Sequence, residues 1–238
     1  MTDKPTVVLV HGAFADAASF AAVVPLLLDA GHKVVVPAVP NRSLLGDSAY
    51  IASVVRAIDG PVVLAGHSYG GAVITVAGAE ENVAALVYLA GYALAEGESL
   101  GELQGGFPDS DLAAALVYTP FPVPGGEDGT DVSVDVGKFP AIFAHDVDPA
   151  VTRVLAVSQR PLAALAFAEA APVAAWRTKP AWGIVCSADH TINPDVERFG
   201  YQRAGVKTVE LDSSHLVMLS HPRQVADLIG EAVAAVTG

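Results

Sequence analysis

The chain has 238 residues, of which 52% are hydrophobic and only 16% are charged. This length suits one large domain, with or without an insertion, and the apolar composition excludes a disordered chain. With 13 Lys and Arg against 26 Asp and Glu, the net charge of −13 argues against nucleic acid or an anionic membrane as a partner.

Six short apolar segments predict buried strands, at residues 6–10, 33–36, 61–65, 83–89, 181–186 and 207–211. Helical patterns follow or separate them at residues 19–30, 47–58, 69–81, 194–204 and 221–236. Continuous apolar strands that alternate with helices are typical of a parallel sheet covered on both faces. The predicted fold class is therefore α/β, with a doubly wound, mostly parallel sheet.

The alternation stops between residues 94 and 179, where only helical patterns are visible, at residues 111–117, 148–158 and 161–170. This stretch is too long for a loop, so we predict a mainly helical cap insertion at 94–179 in a core of 1–93 and 180–238. Its aromatic residues are candidates for the wall of a substrate pocket, with none singled out. They are Phe107, Tyr118, Phe121, Phe139, Phe143, Phe167 and Trp176.

Residues 66–71 read Gly-His-Ser-Tyr-Gly-Gly and match the pattern G-x-S-x-G. Such a short match arises by chance, but here a strand pattern precedes it and a helical pattern follows it. A serine at the tip of a strand–turn–helix is exposed and strained, and it lies at a helix N-terminus that favours negative charge. We therefore predict that Ser68 is a nucleophile.

A serine hydroxyl needs a base to take its proton. His215 follows the sixth predicted strand, so it should lie at the same sheet edge as Ser68. His190 is a weaker alternative. The acid that orients the base should follow another strand, between the serine and the histidine in chain order. Asp189 fits, with Asp195 and Asp212 as alternatives.

The predicted site also includes two backbone amides. An oxyanion needs converging N–H donors, and the amides of Ala13, in the turn after the first strand, and Tyr69 are the candidates. No metal or organic cofactor is expected. The single cysteine, Cys186, lies in an apolar run and should be buried, since a nucleophilic role would require an adjacent base.

The start of the chain has no charged and apolar leader, and no apolar run is long enough to cross a bilayer. The expected location is therefore cytoplasmic. The expected partner is a small-molecule ester, with no nucleic acid and no membrane. A homodimer is compatible with the sequence.

The order of four segments, at residues 11–14, 66–71, 187–189 and 214–215, resembles the α/β-hydrolase superfamily over essentially the whole chain. The resemblance is nearest to the small esterases, methylesterases and hydroxynitrile lyases. It implies a triad of Ser68, Asp189 and His215, oxyanion amides at Ala13 and Tyr69, and a cap formed by the insertion. The lyases carry a lysine directly after the catalytic histidine, whereas this chain has Leu216, which weakens the lyase interpretation.

The leading functional hypothesis is an esterase that cleaves a small, largely apolar carboxylic ester through an acyl-enzyme. The same triad could serve a perhydrolase, thioesterase, lactonase or C–C hydrolase, because the pocket decides among these reactions. A third hypothesis is a ligand receptor that retains the fold, as hormone receptors of this superfamily do.

Overall fold

A computed structural model describes residues 4–237 of the chain. The expectation that the chain has no leader concerns its first residues, and residues 1–3 lie outside the described part. Within them, no helix combines the length and apolar character that crossing a membrane requires.

The centre of the molecule is a six-stranded sheet in which every neighbouring pair is parallel. The strands are β1 (Thr6–Val10), β2 (Lys33–Val35), β3 (Val62–His67), β4 (Val83–Leu89), β8 (Ala181–Cys186) and β9 (Lys207–Leu211). Their order across the sheet is β2-β1-β3-β4-β8-β9. β1, β3 and β8 are buried along their whole length. This confirms the predicted fold class.

Helices cover both faces of this sheet. They are α1 (Val24–Asp29), α2 (Leu44–Arg56), α3 (Tyr69–Ala77), α8 (Pro194–Ala204), α9 (Val217–Ser220) and α10 (Pro222–Ala235). Several predicted boundaries were wrong, and two of them have a clear physical cause. Residues 19–30 form a short 3₁₀ helix, Ala17–Phe20, and then α1, because Pro25 in the first turn of α1 can begin a helix but not continue one. α2 begins three residues earlier than predicted because Ser43 Oγ caps it by accepting the Gly46 N–H.

The segment between β4 and β8 contains helices and a second, smaller sheet. Its helices are α4 (Leu100–Gly105), α5 (Phe139–Phe143), α6 (Pro149–Val157) and α7 (Leu165–Ala168), with 3₁₀ turns at Asp111–Ala115 and Ala175–Arg177. Three antiparallel strands, β5 (Leu116–Phe121), β6 (Gly129–Val134) and β7 (Leu162–Ala163), pair in that order.

The expectation that this segment lacks strands was therefore wrong, although helical residues outnumber strand residues in it. β5 is mostly exposed and contains Pro120, which an edge strand tolerates and which hid the strand pattern. β7 has only two residues, too few for a pattern. The division into a core of 1–93 and 180–238 and a cap of 94–179 stays a prediction.

Candidate active site

Ser68 lies in a sharp turn between β3 and α3. Its backbone has φ 55° and ψ −122°, a region that non-glycine residues enter only when the surrounding structure holds them there. The Ser68 N–H donates to the Leu89 carbonyl at 3.1 Å, and its own carbonyl accepts the N–H groups of Gly71 and Tyr92. A strained serine at a helix N-terminus is thus fixed on both sides.

Gly70, two residues after Ser68, is required because there is no room for a side chain at this position. A Cβ on Gly70 would lie 2.3 Å from the Val10 carbonyl oxygen. The turn therefore packs directly onto the end of β1, where backbone meets backbone without a side chain between. This contact places Ser68 beside the turn that follows β1.

His215 and Asp189 form a buried pair at the ends of β9 and β8. His215 Nδ1 lies 2.5 Å from Asp189 Oδ2, and both side chains are completely buried. The other oxygen, Asp189 Oδ1, accepts the backbone N–H groups of Thr191 and Ile192 at 2.6 and 3.1 Å. The carboxylate is thus held so that one oxygen faces the imidazole. Because Nδ1 faces the carboxylate, it carries the ring proton, and Nε2 is left as an acceptor.

His67, the residue before Ser68, connects this pair to the serine turn. Its Nε2–H donates to the His215 carbonyl at 2.9 Å, and the two imidazole rings lie 4.6 Å apart between centroids. Burial, followed by the proximity of His215, lowers the pKa of His67 well below its ordinary value. His67 is therefore a neutral side chain that links the end of β3 to the loop after β9. His215 Nε2 is buried and has no hydrogen-bond partner among residues 4–237.

The turn after β1 supplies a free amide beside Ser68. In residues 4–237, the Ala13 N–H donates no hydrogen bond, whereas the next amide, Phe14 N–H, binds the Arg160 carbonyl. His11 fixes this turn, because its Nε2 accepts the Val39 N–H and its Nδ1–H donates to the Gly12 carbonyl at 2.9 Å. Burial lowers the pKa of His11 and keeps it neutral.

Tyr69 is the first residue of α3, so its N–H has no acceptor within the helix. Its side chain is fixed by a hydrogen bond, which the phenol donates to Asp47 Oδ2 at 2.7 Å. The arrangement can therefore offer two backbone donors and a positioned imidazole to a carbonyl group at Ser68. Among the described residues, no group of three or more His, Cys, Asp or Glu side chains is placed to hold a metal.

Known proteins show which family this chain belongs to. A sequence profile described as "Alpha/beta hydrolase family" matches residues 7–228. The chain belongs to the α/β hydrolase family. No curated protein matches the sequence significantly.

Several solved structures share the fold of this α/β hydrolase. Polyneuridine aldehyde esterase is 21% identical, with 96% of this chain and 99% of that chain covered, at a TM-score of 0.83. Methylesterase MES16 from Arabidopsis is 18% identical, with coverage of 97% and 99% and a TM-score of 0.81. A pyrethroid hydrolase from Sphingobium faniae JZ-2 is 22% identical, with coverage of 97% and 98% and a TM-score of 0.78. The resemblance to the α/β-hydrolase superfamily that the sequence predicted is confirmed, and these structures share the fold.

The alternative site residues of this α/β hydrolase lie elsewhere. His190 pairs with Asp111 at the surface, Asp195 pairs with Arg198 on the outer side of α8, and Asp212 is exposed. Cys186 is fully buried, and burial raises the pKa of its thiol well above the ordinary value, which is opposite to what a thiolate nucleophile requires. Of the predicted residues, Asp189 and His215 bind each other, and Ser68 and Tyr69 lie in a turn that packs against the turn of Ala13 and is linked to His215 through His67. Among residues 4–237, His215 Nε2 makes no hydrogen bond to Ser68.

Two carboxyl groups beside the pair were not predicted from the sequence. Asp146, after α5, accepts the Ser214 N–H at 3.0 Å and also the Ser214 hydroxyl, so it ties the insertion to the loop of His215. Glu197, in the first turn of α8, is 1% exposed and accepts the Cys186 N–H at 3.1 Å. Neither residue belongs to a motif, so the sequence carries no signal that distinguishes them from other acids on helices and loops.

The insertion encloses an apolar cavity and covers the pair. The cavity has a volume of about 380 Å³, and its lining includes the predicted aromatic residues Tyr118 and Phe167 together with Val196 at the start of α8. It does not reach Ser68, which is only 5% exposed. Phe143 of α5 packs its ring edge against His215 with 4.7 Å between centroids. The site is therefore nearly closed to solvent.

Proposed function

We propose that this α/β hydrolase is a serine hydrolase that cleaves a small, largely apolar carboxylic ester through an acyl-enzyme. The observation that carries the proposal is the buried His215–Asp189 pair, whose Nε2 has no partner within residues 4–237, beside the strained turn of Ser68. This is the set of groups that acyl transfer needs, in the tautomer that it needs.

In the proposed reaction, Ser68 Oγ attacks the ester carbonyl while His215 Nε2 accepts its proton. Asp189 holds the ring and stabilises the imidazolium that forms. The amides of Ala13 and Tyr69 donate to the developing oxyanion. His215 then gives its proton to the departing alcohol, and water releases the acid by the same steps, with His215 again acting as base.

The substrate class rests on the surroundings of the site. Ser68 is nearly buried, and Phe143 packs against His215, so a bulky or polymeric ester has little room. The chain also carries a strong negative charge, which disfavours an anionic substrate. These features favour a small, uncharged ester.

The proposal is tested by labelling with a fluorophosphonate probe and by hydrolysis of p-nitrophenyl acetate. We expect one adduct, which peptide mapping assigns to Ser68, and a fall in kcat of at least about 10⁴-fold in Ser68→Ala. Ser53→Ala is the matched control, because Ser53 is an exposed serine on α2. Undiminished labelling of Ser68→Ala would show that another residue is the nucleophile.

A further inference from the structure

A second buried carboxyl group lies behind Asp189, and the proposed reaction does not use it. Glu197 is 1% exposed, and its Oε2 accepts the Cys186 N–H at 3.1 Å. The Asp189 N–H donates to the Cys186 carbonyl at 3.2 Å, so both acids are anchored on the same residue at the end of β8. The other oxygen of Glu197, Oε1, has no donor among residues 4–237. Two acids are therefore buried at the same strand end, where a proton on one of them removes their repulsion.

The hydrogen bonds decide which acid carries the proton. Asp189 receives three donors, from His215 Nδ1 and from the amides of Thr191 and Ile192. Glu197 receives only the Cys186 amide. Since donors stabilise the ionised form of a carboxyl, the charge belongs on Asp189 and the proton on Glu197. Burial, and then the neighbouring Asp189, raise the pKa of Glu197 well above its ordinary value.

The other titratable groups around Glu197 do not supply a buried positive charge. They are Cys186, Tyr92, Tyr201 and Arg198. Burial raises the pKa values of the Cys186 thiol and of both phenols, so these groups are neutral. Arg198 is partly exposed and is engaged by Asp195 and Glu210 on the outer side of α8. An ionised Glu197 would therefore face Asp189 without compensation.

We propose that Glu197 is a positioning residue: a neutral carboxylic acid that donates a hydrogen bond to Asp189 and holds that carboxylate toward His215. The donated bond also disperses part of the Asp189 charge, so the imidazolium of His215 is stabilised less than it would be by an isolated carboxylate. The catalytic part of this inference rests on the proposed function. The protonation of Glu197 does not.

The test compares Glu197→Gln with Glu197→Leu in the pH dependence of kcat/KM. The glutamine amide can still donate to Asp189 and accept from Cys186, so the midpoint of the acid limb should stay in place. Leucine removes the donor and leaves the Asp189 charge less dispersed. In Glu197→Leu, we expect the midpoint of the acid limb to rise by about half a pH unit to one unit. We also expect kcat to fall about 10-fold, with KM little changed. Restoration of kcat by glutamine separates positioning from simple packing.

A second measurement is independent of catalysis. The infrared spectrum at neutral pH should contain the carbonyl stretch of a protonated carboxyl, which disappears in Glu197→Gln. Glu210→Gln is the matched control and should leave the band unchanged. Glu210 is an exposed acid on β9 that binds Arg198, the residue after Glu197 on α8. This spectrum also decides the matter if Glu197→Leu does not fold.

Two results would overturn the inference. One is a lowered acid-limb midpoint in Glu197→Gln, which would show that an ionised Glu197 had stabilised the imidazolium. The other is a wild-type spectrum without the protonated-carboxyl band. A protein that hydrolyses no ester but shows the band would remove the proposed function while supporting the neutral state of Glu197.

Discussion

Gly12, in the turn after β1, packs against Ser68, and Gly12→Ala is the sharpest test of the proposed oxyanion site. The added Cβ would lie 2.7 Å from Ser68 Cβ and 2.8 Å from the His67 carbonyl oxygen. Gly12 is not among the residues with positive φ, so the substitution tests space alone. Ordinary contact begins at 3.4 Å, so the turn must move away by about 0.7 Å.

This displacement moves the Ala13 amide away from the carbonyl that Ser68 attacks. Misplacing a catalytic group by about 1 Å costs on the order of 10²-fold, so kcat/KM for p-nitrophenyl acetate should fall about 10-fold to 100-fold. Overpacking should lower the free energy of unfolding by about 1–3 kcal/mol. Both are measured on one preparation, by steady-state kinetics and by urea unfolding.

Gly230→Ala is the matched control. Gly230 lies within α10, and a Cβ there meets no atom within 4 Å. Alanine has a higher helix propensity than glycine, so this variant should be more stable by about 0.5–1 kcal/mol with unchanged kinetics. If Gly12→Ala folds and keeps the wild-type kcat/KM, the turn after β1 does not supply an oxyanion donor.

The remaining predictions concern the two acids that hold His215. Asp189→Asn should lower kcat by about 10⁴-fold, because the amide favours the wrong tautomer of His215; a smaller loss than 10-fold would assign the orienting role elsewhere. Partial burial would raise the pKa of Asp146, but the hydrogen bonds from Ser214 and Ser220 lower it below its ordinary value. Asp146 therefore stabilises the protein above the pKa of an unfolded aspartate, and this contribution is lost as the pH falls through the folded value. Asp146→Asn should cost about 1 kcal/mol at pH 7, since solvent screens the exposed carboxylate, and nothing once Asp146 is protonated in both states. An equal loss in urea unfolding at both pH values would contradict this.

The site residues could be assigned to one edge because a parallel sheet gathers the ends of its strands there. Ser68, Asp189 and His215 each follow a strand that the sequence predicted, and the structure places them after β3, β8 and β9. Gly12, which permits a sharp turn after the first predicted strand, also pointed to the amide of Ala13. These predictions needed no knowledge of side-chain packing.

The rest depended on contacts that a pattern does not show. Glu197 looks like an ordinary first-turn acid of a helix, and only the packing of α8 against β8 buries it beside Asp189. Asp146 matters because the chain after α5 returns to the loop of His215. The strands of the insertion were missed because Pro120 and exposed residues break the alternation in β5.

The buried groups around the triad share one electrostatic property that bears on the proposed mechanism. His11 and His67 are held neutral by burial, and Glu197 is neutral in our proposal, so the proposed mechanism leaves the negative charge of this set on Asp189. In that mechanism, proton transfer from Ser68 to His215 creates a cation directly beside Asp189. The oxyanion forms on the other side, where the amides of Ala13 and Tyr69 face it. The new charges therefore meet partners that were oriented by folding, and no neighbouring side chain needs to change its protonation during the reaction.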